Sequence, residues 1–177
     1  MTQTEFEKIY HKLKHRVYNT VLSYLQQAEE AEEVTQDVFM EVFEHGDDFK
    51  GEAAIQTWVY RIAINKSIDF IKYKSRKKRF AFMTQLFEPE SGELLHDMPN
   101  FEHPGFAIEN KEKGVILFKA IEKLPEQQKT AFILSQVEGL SYKEISEVME
   151  KQSGAIDSLI QRAKQNLRKE LQNYFRA

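Results

Sequence analysis

The chain has 177 residues, 41% of them hydrophobic and 12% aromatic, enough to build real cores and too much for a disordered chain. It has no cysteine, which excludes disulfides and thiolate metal sites and fits a cytoplasmic home. It also has no run of about 18 apolar residues for a membrane span, and its polar, acidic N-terminus is unlike a secretory signal. The net charge of −3 conceals strong sorting: residues 1–58 carry 5 Lys+Arg against 12 Asp+Glu, residues 59–80 carry 8 against 1, residues 81–110 carry none against 6, and residues 111–177 carry 12 against 9.

The first helix is expected from about Thr4, where Thr4-x-x-Glu7 is a capping-box pattern, with Phe6, Ile9, Tyr10, Leu13, Val17, Val21, Leu22 and Leu25 at helical spacing. A second helix is expected from Ala28 to Glu44, with Val34, Val38, Phe39, Val42 and Phe43 on one side and Gly46-Asp47-Asp48 ending it. The third is the most informative. Between Gln56 and Ile71, the residues Trp58, Val59, Ile62, Ala63, Ile64, Ile68 and Ile71 cover more than one face, so neighbours must hold this helix on several sides. Its polar exceptions Arg61, Asn65 and Asp69 recur every four residues as one stripe, and it ends in the basic run Lys72-Tyr73-Lys74-Ser75-Arg76-Lys77-Lys78-Arg79. One or two cations would merely complement the helix dipole. Seven from Lys66 to Arg79 suit the presentation of charge to a polyanion.

From Phe80 to about Ile108 the periodicity dissolves among Pro89, Gly92, Pro99, Pro104 and Gly105, which reads as an acidic interdomain linker. Four helical segments follow. Asn110 to Lys123 is the first, and the second has Pro125 at a first-turn position and Ala131, Phe132, Leu134 and Val137 apolar. Glu138-Gly139-Leu140 then turns the chain into a short helix opened by the capping box Ser141-x-x-Glu144. A longer helix after Gly154 carries Ile156, Leu159, Ile160, Ala163, Leu167 and Leu171 as its stripe. A short helix, a tight turn and a longer helix with a polar outer face make a helix-turn-helix.

No persuasive catalytic set appears. His11 and His15 share a helix face but lack a third ligand, and the chain has no glycine-rich phosphate loop and no nucleophile elbow, so neither catalysis nor a cofactor or metal is expected. On the last long helix, Ser158, Gln161, Arg162 and Gln165 face outward, and such side chains can hydrogen-bond base edges in a major groove. Glu29, Glu30, Glu32, Glu33 and Asp37, with Gln36 and Phe39, place acid beside an apolar edge, a face that repels DNA and invites a basic protein.

These pieces, in this order, resemble an extracytoplasmic-function sigma factor of bacterial RNA polymerase, of the sigma-70 superfamily, over almost the whole chain. Ala31-Glu32-Glu33-Val34-Thr35-Gln36-Asp37-Val38-Phe39 resembles the core-polymerase motif of region two. The segment from Phe49-Lys50-Gly51 through Trp58-Val59-Tyr60-Arg61 to Asn65 resembles the part leading into promoter opening. Leu124-Pro125, Phe132, Glu138-Gly139-Leu140-Ser141-Tyr142-Lys143-Glu144-Ile145 and Arg162-Ala163 resemble region four.

The resemblance implies an all-α chain of two small helical domains joined by a flexible acidic linker: a region-two bundle at 1–80, the linker at 81–108, and a region-four helix-turn-helix at 109–177. Core RNA polymerase would be gripped by Glu33, Gln36, Asp37 and Phe39. A single-stranded proximal promoter element would meet Lys50, Trp58, Arg61, Asn65, Lys72, Lys74, Arg76, Lys77, Lys78 and Arg79. A duplex distal element would meet Tyr142, Lys143, Ser158, Gln161, Arg162 and Gln165. An anti-sigma factor is the expected inhibitor, and no direct membrane insertion is expected. One departure stands out: where the family has Thr-Val-Lys-Ser-Arg after its glycine, this chain has Ala155-Ile156-Asp157-Ser158-Leu159, so relatives do not predict its distal sequence. The competing expectation is a stand-alone helix-turn-helix regulator that binds an operator without polymerase. It leaves the Gln36–Asp37 face and the Arg76–Arg79 run unexplained.

Overall fold

The computed structural model describes the chain at residues 1–49, 51, 54–87 and 111–175, with side chains described over 1–49, 51, 54–77 and 113–172. The described residues form seven α-helices and no strand: α1 (Gln3–Leu25), α2 (Ala28–Glu44), α3 (Ile55–Phe87), α4 (Lys111–Glu122), α5 (Glu126–Gln136), α6 (Tyr142–Met149) and α7 (Ser153–Phe175), with a 3-10 turn at Gly46–Asp48.

Helix α1 starts one half-turn earlier than the Thr4 pattern suggests. Thr2 is the cap: its hydroxyl accepts from the Glu5 amide, and the Glu5 carboxylate accepts in return from the Thr2 amide. Thr2-x-x-Glu5 satisfies the same pattern, and choosing it adds a Gln3–Glu7 side-chain bond at 3.2 Å. At the other end, Gln26 takes the left-handed conformation (φ 58°) and its amide donates to the Leu22 carbonyl. Its side-chain amide crosses to the Phe118 carbonyl at 2.9 Å, which ties this corner to α4.

The first bundle closes around Leu13, Val17, Val21 and Leu22 of α1, Ala31, Val34, Val38, Phe39 and Val42 of α2, and Val59, Ile62 and Ala63 of α3. Phe43 departs from its expected inward place and is 53% exposed. It follows Val42 by one residue, so it lies about 100° further round the helix, on the rim against the Phe6 ring at 5.1 Å. Helix α3 runs to Phe87, seven residues into the stretch assigned to the linker, because no proline or glycine interrupts it before Pro89. The rest of that stretch, including Phe101 and Phe106, lies outside the described residues.

The second core joins the two halves. Phe118, Ala120 and Ile121 of α4, Ala131, Ile133 and Leu134 of α5, Ile145 and Val148 of α6, and Ile156, Ile160, Ala163 and Leu167 of α7 pack together with Tyr24 of α1 and Tyr60 and Ile64 of α3. Helix α3 is therefore buried on two sides, Val59, Ile62 and Ala63 toward one core and Tyr60 and Ile64 toward the other. Gly139 makes the turn from α5 to α6 at φ +65°, a conformation a side chain would strain. Leu140 then closes the turn through its amide to the Leu134 carbonyl at 3.0 Å.

The joint contains buried polar groups. Lys129, only 6% exposed, lies over the Tyr24 ring and donates to the Tyr24 carbonyl at 3.3 Å. Burial lowers its ammonium from the ordinary 10.5 to about 8. The unfolded chain therefore binds more protons than the folded one between pH 8 and 10.5, and stability contributed by this group rises with pH across that window. Tyr24 and Tyr60 are both pushed upward, chiefly by burial, so the folded state resists their ionisation and loses ground only above about pH 10.

Two outcomes are expected. Lys129→Met should raise stability at pH 7 by about 1–3 kcal/mol and abolish the gain from pH 8 toward pH 10, as measured by denaturant unfolding across that range. Ser141→Ala should remove the α6 cap at a cost of about 1 kcal/mol, read as a thermal midpoint about 2–4 °C lower, with Ser141→Gly milder.

Candidate polymerase and nucleic-acid interfaces

Three exposed surfaces carry the residues singled out by the sequence. The first lies on α1 and α2. Glu33, Gln36 and Asp37 are all exposed, while Phe39 is 3% exposed and forms the floor of an adjoining groove. Its ring packs edge-on to Tyr10 at 4.9 Å and Phe6 at 6.5 Å. The walls are side chains the sequence reading did not assign to a partner: Met40 at 59% exposure, Phe43 at 53% and Tyr10 at 37%. A signal was available. Phe39-Met40 and Val42-Phe43 are consecutive apolar pairs, and one helix stripe cannot bury both members of each. Acid beside apolar surface is thus a real feature of this face, with Met40 and Phe43 supplying its accessible apolar area.

The second surface runs along α3. Trp58 is half-buried, its ring 5.5 Å from that of Phe49. Asn65, Lys72, Arg76 and Lys77 are exposed. Lys74 is held by Glu30 of α2 at 2.5 Å, Lys66 by Glu41 at 2.7 Å, and Lys72 stands 3.9 Å from Glu126. The acidic second helix therefore neutralises part of the basic run that the sequence presented as free charge. Lys78 and Arg79 lie on α3, but their side chains, like all of Lys50, fall outside the described residues.

Arg61 is the residue of this stripe whose surroundings the sequence did not foretell. Its guanidinium turns to α6, donating to the Glu147 carbonyl at 2.5 Å and pairing with Glu150 at 2.8 Å. The Glu147 carbonyl belongs to the last turn of α6, where carbonyls lack intrahelical partners and a cation is favoured.

Beside it, Tyr60 donates to the Glu138 carboxylate at 3.0 Å, and Arg16 reaches the same residue, 2.9 Å from its carbonyl and 3.6 Å from its carboxylate. Burial pushes Glu138 above the usual carboxylate range, while Tyr60, Thr20 and Arg16 pull against that shift.

The third surface is the helix-turn-helix. Ser141 caps α6 through the Glu144 amide, and the Glu144 carboxylate accepts from the Ser141 amide at 2.8 Å. The Ser141 amide and then the Ser141 hydroxyl, each donating to this carboxylate at 2.8 Å, hold Glu144 below the usual carboxylate range. The turn closes through the Lys151 amide to the Ser146 carbonyl at 3.1 Å. Ile145 and Val148 of α6 pack with Ile156, Ile160 and Ala163 of α7, so α7 turns its other face outward. Ser158, Gln161, Arg162 and Gln165 are all exposed there, and Tyr142 and Lys143 are exposed at the start of α6. Ser158 spends its hydroxyl on the Gly154 carbonyl at 3.0 Å, which leaves Gln161, Arg162 and Gln165 as the longer donors on this face. Leu159, in place of an expected cation, is half-buried against the shared core.

Two family models match the chain in sequence order. Residues 9–77 match Sigma-70 region 2 and residues 115–167 match Sigma-70, region 4. The chain is 31% identical over 171 residues to the RNA polymerase sigma-H factor of Pseudomonas aeruginosa, covering 97% of this chain and 88% of that protein. It is 28% identical over 174 residues to the ECF RNA polymerase sigma-E factor of Escherichia coli K12, covering 98% and 90%.

Among solved structures, the fold is similar to the sigma factor RpoE in complex with the anti-sigma factor NepR from Bartonella quintana (TM-score 0.66, 19% identity, 95% of this chain and 97% of that one). It is also similar to CnrH in complex with the cytosolic domain of CnrY (TM-score 0.68, 18% identity, 97% and 90%). With both regions matched in order and a relative above 30% identity along nearly its full length, the chain belongs to the extracytoplasmic-function sigma factors of the sigma-70 family.

Proposed function

We propose that this protein is an RNA polymerase sigma factor that binds core polymerase and directs promoter recognition and transcription initiation. The observation that carries it is the pairing, in one chain, of an acidic and apolar face on α2 with a helix-turn-helix whose outward residues are base-reading types. Each face fits a different partner, and in this reading the chemistry belongs to the polymerase.

In this reading residues 1–80, extended by the tail of α3, form region two, residues 81–108 link, and residues 109–177 form region four. Glu33, Gln36 and Asp37 would steer a basic surface of the polymerase onto the groove, where Met40 and Phe43 would be desolvated and Phe39 would hold the floor rigid. Trp58, Arg61, Asn65 and the basic end of α3, with Lys50, would hold the unstacked strand of the proximal element. Gln161, Arg162 and Gln165 would read the distal duplex, with Tyr142, Lys143 and Ser158 at its edge. No described helix is long and apolar enough to cross a membrane, and the site of action would be the cytoplasm, where polymerase works. One fold neighbour is a sigma factor in complex with an anti-sigma factor, and an inhibitor of that kind is the expected third partner.

Met40→Ala with Phe43→Ala should weaken capture of purified core polymerase about tenfold or more while leaving helix content and thermal midpoint near wild type. Gln36→Ala with Asp37→Lys should do so mainly through the association rate. Core captured by all variants at the wild-type level would remove this face from the assignment, and a chain that bound its duplex fully without core would favour a stand-alone regulator. On the duplex side, Arg162→Ala should relax preference at one base pair of the distal element, a loss of about 1–3 kcal/mol of discrimination, leaving the proximal requirements intact. A promoter library transcribed by both holoenzymes reads this directly; identical distal preferences would strike Arg162 from the base-reading set.

A further inference from the structure

One group at the joint between the halves has the surroundings of a nucleophile rather than of a structural cation. Lys129 lines a cavity of about 160 Å³ closed in by Tyr24 of α1, Ile68 and Ile71 of α3, and Leu124 in the turn before α5. The residue is 6% exposed, and a single partner places its Nζ, 3.3 Å from the Tyr24 carbonyl and 5.0 Å from the centre of the Tyr24 ring. A carbonyl accepts from a neutral amine as readily as from an ammonium, so this hydrogen bond does not require the charge.

Two carboxylates and one cation share the lining. Glu122 of α4, Glu126 of α5 and Lys72 of α3 are all exposed, with Glu126 standing 3.9 Å from Lys72. Desolvation outweighs the attraction of Glu122 and brings the Lys129 ammonium down to about 8. At pH 7 about a tenth of Lys129 is therefore neutral amine, against roughly one in three thousand for a lysine left at 10.5. Desolvation in an apolar pocket is one of the ways in which proteins make a nucleophile of this side chain. The other candidate in the cavity does not compete: the Tyr24 hydroxyl is bonded to that of Thr130 at 2.5 Å, and burial pushes it upward.

The walls select the reagent. A group carrying a carboxylate would set a new negative charge beside Glu122 and Glu126, and an adduct that stayed cationic would keep the cost of desolvation. A short, uncharged acyl group does neither. Its amide keeps one N–H for the Tyr24 carbonyl and places the acyl carbons in the cavity against Ile68, Ile71 and Leu124.

We propose that Lys129 is an acyl-acceptor site that takes a short, uncharged acyl group from an acyl phosphate. The amine nitrogen attacks the acyl carbon, the C–N bond forms, and the bond from that carbon to the phosphate oxygen breaks with its electron pair. The phosphate leaves as hydrogen phosphate, carrying the proton the amine loses. The product relieves the joint of a buried ammonium, so modification stabilises the packed chain. Acylation of a surface lysine has no such effect, because it exchanges one solvated group for another. The reacting amine is not among the residues assigned to polymerase or to DNA.

The wild-type protein treated with acetyl phosphate at neutral pH, with each lysine followed by mass spectrometry of its proteolytic peptides, tests this directly. Lys129 should be acetylated about ten times faster than the exposed Lys12 and Lys143, and its rate should level off above about pH 8. In urea the preference should vanish, because it belongs to the cavity and not to the neighbouring sequence. Succinic anhydride, which adds a carboxylate, should show no preference for Lys129. Protein with acetyl-lysine encoded at position 129 should unfold a few degrees above wild type at neutral pH.

Acetylation of Lys129 no faster than that of Lys12 and Lys143 would overturn the site, as would a rate still climbing at pH 10 or a preference that survives urea. Equal selectivity with succinic anhydride would overturn the choice of an uncharged acyl group. A lower thermal midpoint for the encoded acetyl-lysine would show that the cavity does not accept the amide, and would remove the proposal with it.

Discussion

Burial of α3 on two sides is the constraint on which the rest of this structure depends. A helix with one apolar face can roll or slide against its neighbour at modest cost, but one packed between two cores cannot. Val59, Ile62 and Ala63 fix it in the first bundle, and Tyr60 and Ile64 fix it against the second. Ser67, fully buried within the helix, avoids any demand on either core by giving its hydroxyl to the Ala63 carbonyl at 2.7 Å. The leftover positions, Arg61, Asn65 and Asp69, are thereby held at one angle, and Arg76 and Lys77 near the basic end of the helix are exposed.

Charge sorting along the chain has a matching logic in space. The acidic helix α2 lies beside the basic helix α3, and Lys66–Glu41 and Lys74–Glu30 bridge them. Partly exposed pairs of this kind contribute little stability each. Their larger effect is on the electrostatic surface: they remove cations from the near part of α3 and leave Arg76 and Lys77 exposed further along. Glu33, Gln36 and Asp37 remain exposed on α2, so the helix stays acidic beyond the residues that those bridges engage.

The joint between the halves is apolar with a few polar ties, and those ties are unequal in cost. Glu138 and Lys129 are both desolvated, and each recovers part of that cost from its partners, Tyr60 and Arg16 for the first and the ring and carbonyl of Tyr24 for the second. A joint built this way is selective without being strong, since a few buried polar groups discriminate against misplaced packings and are better solvated when the halves part. Glu150 adds a tie at the surface, where separation leaves its carboxylate in water at little expense.

Much of this was legible from the order of residues alone, where the determinants are local. Ala28 and Glu44 bound the second helix because acidic first-turn residues and the Gly46-Asp47-Asp48 break sit at its ends. Ser141 and Glu144 find each other three residues apart whatever surrounds them, and the outward set Ser158, Gln161, Arg162 and Gln165 follows from helical period once Ile156, Ile160 and Ala163 are inward. The choice of Thr2 over Thr4 as the first cap, and of Val42 over Phe43 for burial, needed the packed helices, because each is a choice between locally equivalent options; the run of α3 to Phe87 follows from a stretch with no proline or glycine before Pro89. Arg61 is the plainest case. Its period of four placed it on a polar stripe, but its partners Glu147 and Glu150 are 86 and 89 residues away along the chain, and Arg16 and Glu138 are 122 apart. Contacts that distant leave no trace in local periodicity; they exist only once two cores have closed on opposite sides of the same helix.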